Sequence, residues 1–297
     1  MNLLTFWFEP IRRRLRRSKS IMQLYRSSQI PTARGRLRID EQKLATAKRN
    51  NRRNLDLVSN WIDLAAFDHS VGNYGIMPQT LAVMQKKLGP ETTYSDLMAC
   101  ICGQMLEEPN YLEIGVSVGK NFWQILNSSN KGRFWAFDIE NISPALEQHL
   151  ELVSRESVET NFRSLRDEPP YVARYNYGES LVTYCAGDVL DEAMWDQLDG
   201  QKFSLIFSDA FHDPDAVRWE WKQISERDLL DQRGFTMFWD DLGSKAMRKA
   251  FSDIVADCRR RYNIRPTNAC LTHVRGWVGI EEPFHPVGII STQGFVA

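Results

Sequence analysis

The sequence has few of the residues that staple small extracellular or zinc-binding scaffolds. Its five cysteines, Cys100, Cys102, Cys185, Cys258 and Cys270, are scattered, odd in number and without paired C-x-x-C spacing. That disfavours a disulfide framework or a zinc knuckle and makes a reducing compartment the expectation. No run of eighteen apolar residues occurs, which argues against a membrane-spanning helix. A secretory signal is also missing, because it would place its charges before a longer apolar core, and the opening stretch has the reverse order. The G-x-G-x-x-G of dinucleotide-binding turns is absent as well. What the chain does have is material for a core: 297 residues, 43% hydrophobic and 11% aromatic, enough for one medium domain with appendages.

A formal net charge of −1 conceals a strong asymmetry. Residues 1–53 hold fifteen Lys or Arg against Glu9, Asp40 and Glu41, which leaves the remainder acidic. The chain opens with apolar, aromatic NLLTFWF and then Arg12, Arg13, Arg14, Arg16, Arg17 and Lys19. Three uses stay open for this arm: packing on the acidic body or on a sister subunit in a homo-oligomer, contact of residues 1–26 with an anionic membrane surface, or contact with nucleic acid. The last is disfavoured, since nothing downstream resembles a base-reading module. The expected location is the cytoplasm, with the arm able to rest on a membrane. Residues 1–59 are read as a basic extension and 60–107 as a helical cap segment, on the three- and four-residue spacing of apolar residues in LAVMQKKL and TYSDLMACICGQML.

From Pro109 the rhythm becomes strand, turn, helix, repeated to the end of the chain, defining a domain over 108–297. The runs YLEIGV, RFWAFDIE, LVTYCAGDVLDE, FSLIFSDAFHD and FTMFWDDL are short, rich in aromatic or β-branched residues, and end in acids. Buried parallel strands alternating with helices give a Rossmann-like, doubly wound α/β sheet. Residues 244–261 carry the clearest helical stripe, through Met247, Ala250, Phe251, Ile254, Val255 and Cys258. ACLTHVRGWVG and PVGIIST, with no helix between them, predict an antiparallel pair closing the sheet. In YLEIGVSVGKNF, an apolar strand ending in Glu113 runs into Gly115 and Gly119, with Ser117 where a dinucleotide turn needs its second glycine. A carboxylate there would repel a pyrophosphate and suits a ligand with positive charge, such as the sulfonium nucleoside S-adenosylmethionine.

Together these features resemble the class I S-adenosylmethionine-dependent methyltransferases, over about residues 108–297. The resemblance implies a seven-stranded sheet in which the C-terminal antiparallel pair replaces a sixth parallel strand, after an N-terminal helical extension. It implies that Glu113, Gly115, Ser117 and Gly119 surround the methionine moiety, that Asp138 accepts from the ribose hydroxyls, and that Asp188, after Gly187, lies near the adenine. The residues also leave plainer uses open: Asp138 and Asp188 could each cap a following helix.

Asp209 ends the fourth parallel run, and Asp240 and Asp241 end the fifth. Three carboxylates at neighbouring strand ends repel one another unless a cation sits between them, and hard oxygen donors suit Mg²⁺, Ca²⁺ or Mn²⁺. The set looks like the metal site of the catechol and caffeoyl-coenzyme A O-methyltransferases. His212 falls where the catechol type carries a lysine base, and His in this place is similar to the macrolide-sugar O-methyltransferases. The implied activity is metal-assisted methylation, with Mg²⁺ as the expected ion, of a hydroxyl on a sugar, glycoside, glycolipid or other small natural product, with Asp209 and His212 as catalytic residues. A metal-dependent hydroxylase on the same fold, with iron held by acids and His212, is one alternative, an aminopropyl transferase another, and a non-catalytic cofactor-binding partner protein a third. Trp219, Trp221 and Trp239 could line an acceptor pocket or pack in the core.

Overall fold

The computed structural model describes residues 38–57, 90–105, 108–163, 168–262, 264, 268–274 and 285–295. Residues 1–26 and most of the 60–107 segment therefore lie outside the described residues.

Nine strands form one sheet: β1 (Asn110–Ile114), β2 (Arg133–Asp138), β3 (Glu151–Ser157), β4 (Tyr171–Tyr177), β5 (Ser180–Ala186), β6 (Leu205–Ser208), β7 (Thr236–Trp239), β8 (Ala269–Val274) and β9 (His285–Ser291). Their order is β3-β4-β5-β2-β1-β6-β7-β9-β8. The five central strands, β5, β2, β1, β6 and β7, pair in parallel. On one side β9 runs antiparallel to both β7 and β8, which is the closing pair expected from the sequence. On the other, β3 and β4 add an antiparallel hairpin to β5, so the sheet has two strands more than the seven expected. The result is the Rossmann-like α/β architecture read from the sequence, widened at one edge.

Helices cover both faces. On one lie α1 (Glu41–Asp56), α2 (Tyr94–Met105), α3 (Lys120–Leu126) and the single turn α4 (Pro144–Glu147); on the other lie α5 (Glu192–Asp196), α6 (Pro214–Glu226) and α7 (Lys245–Tyr262). Strand residues point alternately to the two faces. Tyr111, Phe134, Val182 and Phe207 thus pack with α2 and α3, while Leu112, Phe137, Ile206 and Trp239 pack with α5 to α7. Burial on both faces explains why the central strands read as continuous apolar runs.

The inner part of the basic extension is docked on this body. Asp96 in α2 is fully buried, and its carboxylate accepts from Asn51 Nδ2 at 3.0 Å and from both Arg52 guanidinium nitrogens at 2.9 Å. It also accepts from the Thr93 N–H at 2.9 Å, while Thr93 Oγ1 accepts from the Asp96 N–H at 3.2 Å, a reciprocal cap of the α2 N-terminus. Trp123 of α3 donates its indole N–H to Asn54 O at 3.0 Å. A buried charge that is this fully hydrogen-bonded holds its partners in one arrangement. No helix among the described residues is long and apolar enough to cross a membrane.

Candidate functional site

Strand order reverses between β1 and β6, and ligands of open α/β sheets bind beyond the carboxyl ends at such a point. Every site residue expected from the sequence lies along that edge. Gly115 follows β1 with φ +86°, and a Cβ there would stand 2.4 Å from the Asp209 carbonyl oxygen, so only glycine lets the ends of β1 and β6 come this close. Ser117, at φ 52°, and Gly119, at φ 87°, also lie in the left-handed region. The turn is clamped by Asp138 at the end of β2, whose Oδ2 accepts from the Val116 N–H at 2.5 Å and the Ser117 N–H at 2.7 Å, while Oδ1 accepts from the Glu140 N–H at 2.9 Å. Asp138 caps no helix: its carboxylate supplies the acceptors that the left-handed turn cannot find within itself. Gly187 donates to the Asp138 carbonyl at 2.7 Å, which brings the end of β5 alongside. Asp188 accepts from the Leu190 N–H at 2.9 Å, and it is Asp191 that caps α5.

Glu113 is 1% exposed, and its Oε2 accepts from Tyr111 Oη at 2.6 Å and Asn121 Nδ2 at 2.8 Å. Burial pushes its carboxyl up to about 8 against the pull of those two donors. Glu113, Phe207 and Phe238 are register neighbours across β1, β6 and β7. Two residues further on, Asp209 and Asp240 leave their strands toward that same face. Tyr94, at the start of α2, covers the row: its ring packs tilted against Phe207 with centroids 5.1 Å apart, and its phenol is raised well above the usual range, by burial first and then by Asp209, Asp240, Glu113 and Asp241. Tyr94 gave no signal in the sequence, where it reads as one apolar position of a helix.

Asp209 is the most perturbed acid of the group. Burial raises its carboxyl well above the ordinary range, and the charges of Asp240 and Asp241, with a side-chain hydrogen bond to Asp240, push it further. A like charge beside a buried carboxyl disfavours its ionised form. Asp241 sits at φ 53°, a conformation that costs a non-glycine residue about 1 kcal/mol or more. His212 stands half-exposed at the mouth, with Nδ1 3.5 Å from Asp241 Oδ2 and Nε2 3.8 Å from Asp209 Oδ1. The loop that carries it ends at Asp213, which caps α6 by accepting from the Asp215 and Ala216 N–H groups. The three tryptophans serve packing and support: Trp221 and Trp239 are buried in the core, and Trp219 donates to Val189 O at 2.9 Å.

The oxygen donors of Asp209, Asp240 and Asp241 suit a hard cation by chemistry. Their arrangement does not match it, because among the described residues no three acid, histidine or thiol groups converge on a point where an ion could sit.

No family model matches the chain. No curated protein matches it either. Solved structures do match, at 14% identity. One is the O-methyltransferase TomG from Streptomyces achromogenes, involved in tomaymycin synthesis and solved with S-adenosylmethionine, with 83% of this chain and 99% of that one covered and a TM-score of 0.43. Another is an O-methyltransferase from Bacillus cereus in complex with S-adenosylhomocysteine, with 93% and 99% covered and a TM-score of 0.40. Cofactor-bound Rv0187 from MTB matches with 72% and 89% covered and a TM-score of 0.39. Likeness at this level is loose, and it is the strand order that identifies the fold.

Proposed function

We propose that this chain is an S-adenosylmethionine-dependent O-methyltransferase acting on a hydroxyl of a sugar, glycoside or other small natural product. The observation that carries the reading is the juxtaposition, at one switch point, of a glycine turn clamped by Asp138 with His212 held between Asp209 and Asp241. In this reading Gly115, Ser117 and Gly119 give the methionine moiety backbone to lie against, and Glu113 supplies a carboxyl beneath the sulfonium. The ribose hydroxyls fall to Asp138 and to Glu140 two residues on, and Asp188 with Gly187 borders the adenine.

Methyl transfer is an in-line displacement at carbon. The acceptor oxygen attacks the methyl group, the carbon–sulfur bond breaks, and its electron pair returns to sulfur, leaving a neutral thioether. The hydroxyl proton passes to a ring nitrogen of His212, and the imidazolium that forms is stabilised by Asp209 and Asp241. Oriented reactants and a positioned base can together lower the barrier by about 10 kcal/mol. Metal assistance, as read from the sequence, would draw on the oxygens of Asp209, Asp240 and Asp241. It requires the three side chains to converge on one point, which they do not do in the arrangement described.

Calorimetric titration of the purified chain with S-adenosylhomocysteine tests the cofactor reading, with micromolar binding expected. Labelled S-adenosylmethionine offered with a panel of glycosides, sugar lipids and phenols then tests the transfer, which His212→Asn should reduce about 100-fold. No binding at high micromolar nucleoside would falsify the assignment, and turnover that survives chelation unchanged would remove the metal from it.

A further inference from the structure

Behind the acid row, on the opposite face of the sheet, lies a carboxyl that the proposed chemistry does not use. Glu220 of α6 is fully buried, on a helix whose Val217, Trp221 and Ile224 are buried with it. Its Oε2 accepts from Ser208 Oγ at 2.5 Å, and its Oε1 has no hydrogen-bond partner among the described residues. Burial pushes the Glu220 carboxyl up to about 7. A buried acid with one oxygen unsatisfied is costly, and a leucine at this place would pack with the same neighbours at no such cost. The acid has to be explained by what Ser208 does.

Ser208 is the last residue of β6 and the register neighbour of both Ile114 and Trp239. Its carbonyl accepts from the Asp240 N–H at 3.0 Å, and the next residue, Asp209, donates its N–H to Ile114 O at 2.7 Å. The backbone that aims Asp209 and Asp240 therefore passes through Ser208, whose hydroxyl is held by Glu220. Glu220 also stands on the helix that begins directly after the loop bearing His212, so its hydrogen bond ties the two ends of that loop together.

Resting on the methyltransferase reading, we infer that Glu220 is a positioning residue for the acceptor side of the site: through Ser208 it fixes the end of β6 and, with it, Asp209, Asp240 and the His212 loop. It touches no reacting atom. Its action is to keep the base and the acids within the small tolerance that oriented catalysis demands.

Three variants of the full chain, Glu220→Leu, Glu220→Gln and Ser208→Ala, separate positioning from general support. The readouts are the S-adenosylhomocysteine dissociation constant, the ring Cε1–H resonance of His212 in the free and the nucleoside-bound protein, and label transfer to whichever acceptor the panel identifies. Glu220→Leu and Ser208→Ala should move the His212 resonance and lower turnover roughly 10- to 100-fold, with nucleoside affinity within about twofold of the parent. Glu220→Gln, whose amide oxygen can still accept from Ser208, should restore both. An unmoved His212 resonance in Glu220→Leu, or loss of nucleoside affinity in step with turnover, overturns the inference. Ser208→Ala carries the test alone if Glu220→Leu does not fold. Failure of the parent protein to bind the nucleoside sinks the methyltransferase reading instead, and the His212 resonance then decides the positioning role by itself.

Discussion

The two halves of the carboxyl edge treat their acids in opposite ways. On the side of β1 and β2, the carboxyl groups of Glu113 and Asp138 are satisfied by hydrogen bonds from Tyr111, Asn121, Val116, Ser117 and Glu140. On the side of β6 and β7, Asp209 faces Asp240 and Asp241, and burial first, then crowding by like charge, raises its carboxyl. The first half is built before any ligand arrives, as the proposed cofactor reading demands of it. The second is electrostatically unfinished, and a proton, a cation or a polar acceptor can complete it. Preorganisation and frustration thus lie two strands apart in one crevice.

The largest effect should come from breaking the finished half. Asp138→Ala leaves the Val116 and Ser117 N–H groups without their acceptor, in a turn that is left-handed at Gly115, Ser117 and Gly119. Charge-assisted hydrogen bonds to buried donors contribute about 1.5–3 kcal/mol each, so the variant should lose roughly 3 kcal/mol of stability and at least tenfold in S-adenosylhomocysteine affinity. Urea denaturation and calorimetry measure the two. If both survive, the clamp is incidental and the contrast between the halves collapses.

A smaller effect sharpens the contrast, because Glu113 belongs to the finished half by its hydrogen bonds and to the acid row by its position. Its folded-state carboxyl titrates at about 8 against 4.5 in water. Between those values the folded chain holds a proton that the unfolded chain has released, so the stability tied to Glu113 is present at low pH and drains away as pH rises through that window. Glu220, raised to about 7, has the same sign. Glu113→Gln can keep both the Tyr111 and Asn121 contacts while abolishing the charge. It should flatten the stability profile between pH 5 and 8 and be more stable than the parent at pH 8 by roughly 2 kcal/mol. A denaturation series across pH reads this directly, and a variant no more stable at pH 8 than at pH 5, relative to the parent, would place Glu113 in water.

The sequence made the finished half and the fold legible and left the unfinished half partly hidden, for physical reasons. Central strands buried on both faces must be continuous and apolar, so β1, β2, β5, β6 and β7 stood out, as did the closing pair β8 and β9. The strand β3 did not, because ELVSRES is an edge strand exposed on both faces and shows neither alternation nor an apolar run. Its neighbour β4 was missed although Gly178, at φ 56°, and Glu179 make a two-residue hairpin turn into β5, a signal present in NYGES. Strand-end acids announced Asp138, Asp209, Asp240 and Asp241 as a set, but not that Asp138 turns onto the glycine turn or that Asp209 is buried against Asp240. Those depend on side-chain direction, which residue type and spacing do not carry. Tyr94 was invisible because it reaches the site from a helix distant in sequence, and Glu220 because a lone acid on the amphipathic helix α6 reads as a solvated position.

The smallest expected effect decides what finishes the second half. Asp240→Asn replaces the nearest like charge with an amide that can still hydrogen-bond to Asp209, so the Asp209 carboxyl should fall back toward its ordinary range. A raised carboxyl is a stability cost that grows as pH rises above its value in water, so relieving it should stabilise the variant at pH 8 by about 1 kcal/mol and hardly at all at pH 4. Nucleoside affinity should stay within about twofold, since the cradle lies on β1 and β2. Thermal melts at the two pH values, each with and without millimolar Mg²⁺, supply the comparison. A gain at pH 8 that Mg²⁺ does not alter means that a shared proton completes the crowded half. If instead Mg²⁺ stabilises the parent and the variant loses that response, a cation takes the proton's place, and the two halves differ because one waits for a metal.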